Sequence, residues 1–202
     1  PCAVGLTILA KPLMDLLFYT EDNTTAALML QLGAVSVVFF CPSTLTNSVL
    51  QGLDDMMTPV KNSSIALVVH VVSLLVMMVA FKWNIYAVVM SRTIFAATVY
   101  MLNSHALRER VGYVQEKKRT FILPTIAALI MGAAAVIVHL LFELFAGTRI
   151  ATIFALLAAV PTYGIALVLL GAVTEDEIES MPKGALLLSI CRKMHLFRDV
   201  YR

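Results

Sequence analysis

The chain has 202 residues, of which 60% are hydrophobic and only 14% are charged, and its mean hydropathy is +0.88. Soluble domains carry about 25% charged residues, so this composition excludes an ordinary soluble domain and predicts an integral membrane protein. The formal net charge of +2 gives no basis for binding nucleic acid, and we expect none. The three cysteines are far apart and form no metal-ligand cluster, so we expect no metal and no cofactor.

The first segment, residues 1–19, is apolar but is interrupted by Lys11, Pro12 and Asp15. We interpret it as the outer end of one membrane crossing followed by a turn at the membrane surface. It lacks an initiator methionine, a basic start and a cleavage site, and we expect the chain to be a fragment cut inside a helix. An acidic turn without Lys or Arg, residues 20–25, follows.

Five long apolar runs come next, and each exceeds the ~20 residues that a helix needs to cross a bilayer. None of them has the polar outer face that a helix of a soluble protein shows over such a length. With the partial crossing at the start, the sequence predicts an all-α integral membrane protein, a polytopic transmembrane helix bundle of about five full spans plus one partial span. The runs are residues 26–50, 59–81, 85–107, 120–145 and 148–173.

The first two runs meet at a polar hinge, residues 50–59, with the sequence LQGLDDMMTP. We predict Thr58 as the N-cap of the following helix and Pro59 as its first residue. Asp54 and Asp55 lie just ahead of that helix N-terminus, where the helix dipole favours negative charge. Hinge capping is the first interpretation of this acid pair, and a cytoplasmic gate or an ion contact is the alternative.

Basic residues in short loops orient the bundle. The connection 108–119 contains five of them, namely Arg108, Arg110, Lys117, Lys118 and Arg119. We therefore place this connection in the cytoplasm, together with the hinge and the C-terminus. The tail, residues 174–202, has apolar residues every three or four positions among basic ones and predicts an amphipathic helix on the inner leaflet. The chain thus divides into helices at 1–107, this cytoplasmic loop, a final helix pair at 120–173, and the cytoplasmic tail.

Arg92 lies about seven residues inside its span, roughly 10 Å from the helix end. An arginine at that depth must face protein, water or the membrane surface. Snorkelling to the outer surface or pairing with a carboxylate is one interpretation. The other is that Arg92, with Ser91 and Thr93 beside it, faces a cavity and holds a diphosphate.

Other polar residues also lie within the spans. His70 and His139 are titratable groups, for which a hydrogen-bonded helix contact is the first interpretation and a proton relay the second. Gln31, Asn47 and Gln51 lie along one span, and interhelical hydrogen bonds explain them. The alternative for these amides is a cavity wall or a cation site together with Asp55. No catalytic residue is proposed, and the candidates for a substrate or ion path are Arg92, Asp55, Asp54, His70, Asn47, Gln51 and Gln31.

Four stretches, taken in order, carry a resemblance to a known family. They are PCAVGL, LAKP and LF within residues 1–18, LQGLDD and TP at 50–59, the helix rich in small residues at 85–107, and GAVTEDE followed by MPKG at 171–184. In this order and spacing they resemble the C-terminal half of the multidrug/oligosaccharidyl-lipid/polysaccharide exporter superfamily. The resemblance is greatest to its stage V sporulation protein B branch of polysaccharide biosynthesis proteins and lipid II flippases.

The resemblance implies a fourteen-helix exporter fold, of which this chain would hold the end of crossing nine and crossings ten to fourteen. In the family, two bundles rock around a cavity and move a polyprenyl-diphosphate-linked sugar, such as lipid II, across the bacterial cytoplasmic membrane. The final pair, here 120–145 and 148–173, would form a groove for the lipid tail. The implied partners are a lipid-linked oligosaccharide or lipid II-like substrate, membrane lipids and the missing N-terminal half. The family's substrate-binding arginines lie mainly in that half, and relatives usually show a small or hydroxyl residue where this chain has Arg92.

Three rival functions stay open. The first is a multidrug–cation antiporter of the same superfamily, which shares the bundle architecture. The second is a non-transporting truncated membrane remnant, because half a cavity cannot alternate between two sides. The third is a membrane-embedded enzyme acting on polyprenyl lipids. The chain shows no hydrolase, metalloprotease or nucleotide-binding motif and no clustered acidic or histidine residues at a span end, so we expect no enzyme activity.

Overall fold

A computed structural model of the chain describes residues 1–18, 22–112 and 118–173, with the backbone alone at 118 and 119. Within these ranges the regular structure is helical and no strand occurs, so the all-α prediction is confirmed. The predicted amphipathic tail, residues 174–202, lies outside the described residues, as does the centre of the basic loop, residues 113–117. Both of these interpretations stay predictions.

Two short helices precede the long ones. The helices are α1 Cys2–Ile8, α2 Ala10–Leu17, α3 Thr24–Gly52, α4 Met57–Val79, α5 Ile85–Val111 and α6 Leu123–Leu169, the last entered through a π-helical turn at Lys118–Ile122. Four of the described helices are long and apolar enough to cross a membrane: α3, α4, α5 and the stretch Thr120–Leu169 that contains α6. A membrane protein with several span-length helices is therefore what the described chain supports.

Helix α6 turns back on itself at Gly147. The backbone there is not helical, with φ of 78° and ψ of 161°. The rings of Phe142 and Phe154 stack with their centroids 4.5 Å apart. Twelve residues along a continuous helix would separate them by about 18 Å, so the two arms of α6 form a hairpin. Each arm exceeds the ~20 residues of a membrane crossing, which is where the sequence predicts its last two spans.

The chain forms two compact units. The hairpin unit contains residues Ala3–Leu17 and both arms of α6, and the three-helix unit contains α3, α4 and α5. Small side chains dominate the core of the hairpin unit, which allows the helix backbones to approach closely. That core consists of Leu9, Met131, Ala135, Ala155 and Ala159.

Helix α5 is the central element of the three-helix unit, because it packs along both α3 and α4 while those two helices barely touch each other. Its buried positions recur every three to five residues and are mostly small: Ala87, Ser91, Ala96, Val99, Asn103 and Leu107. Large apolar side chains such as Val68 and Val79 point away from the unit and are exposed. These outward faces suit lipid or further transmembrane helices.

The predicted cap of α4 is wrong. Helix α4 begins at Met57, so Thr58 and Pro59 are its second and third residues. The capping group is Asp55, whose Oδ1 accepts the Thr58 backbone N–H at 3.1 Å. Pro59 still lies in the first turn, where a backbone N–H has no helical acceptor. The hinge-capping interpretation of Asp55 is confirmed by this bond, while Asp54 is exposed in the hinge with a positive φ of 60°.

Candidate functional site

Three amides meet inside the three-helix unit. Asn103 of α5 is fully buried, and its Nδ2 donates to Asn47 Oδ1 of α3 at 2.6 Å and more weakly to Thr46 Oγ1 at 3.5 Å. Its Oδ1 accepts a hydrogen bond of 2.8 Å from Asn62 Nδ2 of α4. The three side chains therefore join all three helices, and we call Asn47, Asn62 and Asn103 the amide relay.

The surroundings explain why these amides pair with one another. The helices that carry them are apolar over most of their length, so an unpaired amide among them would lose its hydrogen bonds to water without replacement. Hydrogen bonds between transmembrane helices offset that loss and fix the rotation of each helix. The relay thus sets the register in which α3 and α4 pack on α5.

A groove of about 450 Å³ opens beside the relay. Its polar lining consists of neutral side chains, namely Asn47, Gln51, Ser63 and Ser64. Its apolar lining consists of Pro59, Val60, Leu67 and Phe95. The groove has no charged residue in its lining, so it suits a ligand that offers hydrogen-bonding groups and apolar surface together rather than a bare ion.

An ion pair joins the hinge to the C-terminal end of α5 in the same unit. Arg110 Nη2, in the last turn of α5, lies 2.8 Å from Asp55 Oδ2, although without the alignment of a hydrogen bond. Hydrogen bonds from the side chain and backbone of Thr58, together with the Arg110 charge, hold the pKa of Asp55 below its ordinary value of 3.8. Burial of the carboxylate acts in the opposite direction and is outweighed. Asp55 is therefore ionised at neutral pH and ties the hinge to α5.

The structure brings some of the predicted site residues together. Asn47 and Gln51 line the groove, and Asn47 makes the interhelical hydrogen bond that was its first interpretation. Gln31 is half-buried on α3, sixteen residues before Asn47 and so about 24 Å away along the helix. Gln31 is thus not part of this site.

Arg92 and His70 lie farther from the hinge along α5 and α4, and each contacts an aromatic ring. The Arg92 guanidinium lies 5.5 Å from the centroid of the Phe40 ring, a cation–π contact, and its side chain is exposed. His70 meets Phe95 edge to face with ring centroids 5.9 Å apart, and its buried Nδ1 has no hydrogen-bond partner within the described chain. Phe95 also lines the groove, so its ring lies between His70 and the groove.

Three residues of the candidate site are not among those predicted from the sequence. Asn103 and Asn62 were not singled out, although an asparagine in an apolar span needs a partner and is itself a signal of a polar contact. Arg110 was counted only as one of the cytoplasmic basic residues. Its pairing with Asp55 depends on where the last turn of α5 ends relative to the hinge, which no local pattern reveals.

The hairpin unit has a smaller polar pair of its own. His139 is buried, and its Nδ1 lies 3.6 Å from Glu143 Oε2, one helical turn away. Thr148 Oγ1, just after the turn at Gly147, donates to Glu143 Oε1 at 2.8 Å. Across the described ranges no group of three or more His, Cys, Asp or Glu side chains has the geometry to hold a metal ion.

The chain was also compared with known proteins. No family model, no curated protein and no solved structure matches it.

Proposed function

We propose that this chain is part of a membrane flippase or exporter that moves polyprenyl-diphosphate-linked cell-wall or polysaccharide precursors, such as a lipid II-like molecule, across a bacterial cytoplasmic membrane. The observation that carries the proposal is the open, neutral polar groove set among span-length apolar helices. An amphiphile with a sugar headgroup needs hydroxyl and amide partners and an apolar wall, and the groove offers both. The resemblance of the hinge, the small-residue helix and the chain ends to exporters supports the same assignment.

In this proposal the three-helix unit works as one body during alternating access. The hydrogen bonds of the amide relay hold α3, α4 and α5 together within the apolar part of the helices. The ion pair of Asp55 and Arg110 holds the hinge to α5 at the end of the unit. A unit held together at two such places moves as a rigid block against the remaining helices of the transporter, which is how many secondary transporters expose a site to each side in turn.

The cation antiporter is the less favoured transporter. Asp55 is the single buried carboxylate of the three-helix unit as the structure describes it, and Arg110 already neutralises it. The groove beside it is lined by neutral groups. A drug or ion cation would therefore find no unpaired buried carboxylate in the described part of this unit.

Transport by the whole transporter that contains this chain, purified and reconstituted in proteoliposomes, tests the proposal. A fluorescent short-chain polyprenyl-diphosphate sugar is placed in both leaflets, and a membrane-impermeant quencher added outside reports the fraction that becomes accessible. We expect quenching beyond the outer-leaflet fraction with the protein and none without it. Substitution Gln51→Leu should slow the exchange, while Cys41→Ala, at an exposed cysteine outside the groove lining, serves as the matched control. Quenching equal to that of protein-free liposomes would refute the function.

A further inference from the structure

The hydrogen bonds of the amide relay run in one direction. Asn103 turns Nδ2 toward Asn47 of α3, at 2.6 Å, and Oδ1 toward Asn62 of α4, at 2.8 Å. The Thr46 hydroxyl agrees with this direction, because it donates its hydrogen to the Ser43 carbonyl at 2.9 Å and turns its oxygen to Asn103 Nδ2 at 3.5 Å.

The two outer amides continue this direction. Asn62 donates to Asn103 Oδ1, and Asn47 accepts from Asn103 Nδ2 through its own Oδ1. The Nδ2 of Asn47, with its two N–H groups, makes no hydrogen bond within the relay, so Asn47 offers a hydrogen-bond donor to the groove that it lines.

The groove also changes character with depth. Asn47 lies five residues before the end of α3 and Ser63 six residues after the start of α4, which places both about 7–9 Å from the helix ends. Leu67 and Phe95 lie deeper, since they are ten residues from the start of α4 and sixteen from the end of α5. A headgroup layer is about 6 Å thick on each side of a ~30 Å hydrocarbon core. The Asn47 donor and Ser63 therefore lie just below the headgroups, and Leu67 and Phe95 lie within the acyl region, while Pro59 and Val60 line the groove at headgroup depth.

We propose that this groove binds a glycerolipid of the surrounding leaflet, with its phosphate or ester oxygens accepting from Asn47 and one acyl chain lying over Leu67 and Phe95. Such a lipid carries oxygen acceptors near the membrane surface and an apolar chain below them. This order matches the groove, where the Asn47 donor lies nearer the surface than Leu67 and Phe95. The groove lining has no charged residue, so it does not select an anionic headgroup over a neutral one. The glycerolipid occupies the groove while no transported substrate does, so the inference rests on the membrane placement of the helices and not on the proposed transport.

Photocrosslinking tests the site. The protein is held in nanodiscs of phosphatidylcholine that contain a trace of phosphatidylcholine with a diazirine on one acyl chain, and the labelled residues are mapped by mass spectrometry. We expect label on the groove-lining parts of α4 and α5, around Leu67 and Phe95, and competition by unlabelled phosphatidylcholine. Label spread evenly over the exposed apolar faces, or competition by the cation ethidium in place of the lipid, would overturn the proposal.

An isosteric substitution tests the donor. Asn47→Asp at pH 8 keeps an oxygen for Asn103 but removes both N–H groups from the groove, so groove labelling should fall about tenfold, as the loss of one good hydrogen bond implies. Gln31→Glu, which adds the same charge on the same helix outside the groove lining, should change it less than about twofold. Unchanged labelling in Asn47→Asp would refute the donor role.

A dialkyl analogue of the photolipid, which keeps the phosphate and lacks the ester carbonyls, separates the two sources of oxygen. Retained labelling assigns the acceptor to the phosphate and lost labelling assigns it to the esters, and either result supports an oxygen acceptor. The mapping of wild-type label needs no variant, so it tests the site even where a substituted protein fails to fold. Because it measures binding alone, it can succeed or fail independently of the transport assay.

Discussion

Arg110 Nη2 lies 2.8 Å from Asp55 Oδ2 and thereby joins the last turn of α5 to the hinge between α3 and α4. The two side chains differ in environment, since Asp55 is 8% exposed and Arg110 is 52% exposed. Removing the arginine would leave a buried carboxylate that keeps only its hydrogen bonds to the start of α4. The ion pair therefore holds the hinge against α5, and its stabilising effect depends on the negative charge of Asp55.

The low pKa of Asp55 predicts acid destabilisation of the three-helix unit. Its folded pKa lies below the ordinary value of 3.8, so the stabilisation is present above pH 3.8 and is lost as the pH falls through the folded value. Unfolding of the protein in detergent by added SDS, followed by circular dichroism at several pH values, measures this loss. Asp55→Asn should be less stable at neutral pH and should lack this part of the pH dependence.

Arg110→Gln and Arg108→Gln form a matched pair for the same measurement. Both arginines belong to the last turn of α5 and are exposed at its C-terminus, so both substitutions remove the same favourable charge from the helix dipole. Only Arg110 pairs with Asp55 in the described structure. Equal stability of the two variants would contradict a structural role for the ion pair.

Asn103→Leu should destabilise the three-helix unit by about 2 kcal/mol. The substitution removes three interhelical hydrogen bonds and keeps the number and branching of the side-chain heavy atoms, and such bonds average about 0.6 kcal/mol each in a membrane protein. The SDS midpoint measured in detergent gives the change. Ser64→Ala removes a hydroxyl that bonds only within α4, to the Val60 carbonyl, and should stay within about 0.5 kcal/mol of wild type. A neutral Asn103→Leu would mean that the relay is not formed.

The direction of the amide relay predicts opposite responses to the same substitution at its two ends. Asn47→Asp keeps the oxygen that accepts from Asn103, whereas Asn62→Asp sets a second acceptor against Asn103 Oδ1. Asn62→Asp should therefore be less stable than Asn47→Asp by about 1–3 kcal/mol, the penalty for an unsatisfied buried polar group. SDS unfolding at pH 8 compares them. The reverse order of stability would show that the relay runs the other way.

The helices themselves could be predicted from sequence because their signal is local. An uncharged run of bilayer length is helical wherever it lies, and the predicted run 26–50 differs from α3, Thr24–Gly52, by two residues at each end. The predicted run 85–107 ends before α5 does, because Arg108 and Arg110 have the charge that is typical of a loop at the membrane surface. Cations are favourable in the last turn of a helix, and α5 continues to Val111, ending before Gly112 in the left-handed region.

The site could be predicted only in part because its contacts are distant in sequence. Asn47 was identified, but its partner Asn103 is 56 residues away, and only the packing of α3 on α5 selects it. The cap of α4 was misassigned because Asp55 and Thr58 are both common N-cap types, and the choice between them depends on the hinge backbone. Pairings of this kind follow from tertiary register and not from local pattern.

Gly132 marks a close approach of α1 to α6 within the hairpin unit. A Cβ at this position would lie 2.5 Å from Ile8 Cδ1 and 3.1 Å from Val4 Cγ1. The Ile8 methyl can rotate away from a single added carbon, but not from a branched side chain. Gly132→Leu should therefore cost about 1–3 kcal/mol in SDS unfolding, the usual penalty for overpacking. Gly164→Leu is the matched control, because nothing lies within 4 Å of its Cβ position, and an equal loss there would refute the contact.

Gly147 should be irreplaceable at the tip of the α6 hairpin for a backbone reason. Its φ of 78° and ψ of 161° lie in a region that only glycine populates, so Gly147→Ala should cost about 1–3 kcal/mol although nothing lies within 4 Å of the added Cβ. Gly147→Asn should be no better, since asparagine tolerates the left-handed helical region but not this one.

Gly112 is the control for that prediction. Its φ of 61° and ψ of 20° are left-handed helical, and its Cβ position is equally open, so Gly112→Asn should change the SDS midpoint little. The stacking of Phe142 on Phe154 supplies a second measurement, because cysteines at these two positions should be joined by a short bismaleimide crosslinker in an intact hairpin. Crosslinking should fall in Gly147→Ala, as the strained tip opens and the two arms separate. Full crosslinking together with wild-type stability in that variant would show that the turn does not depend on glycine.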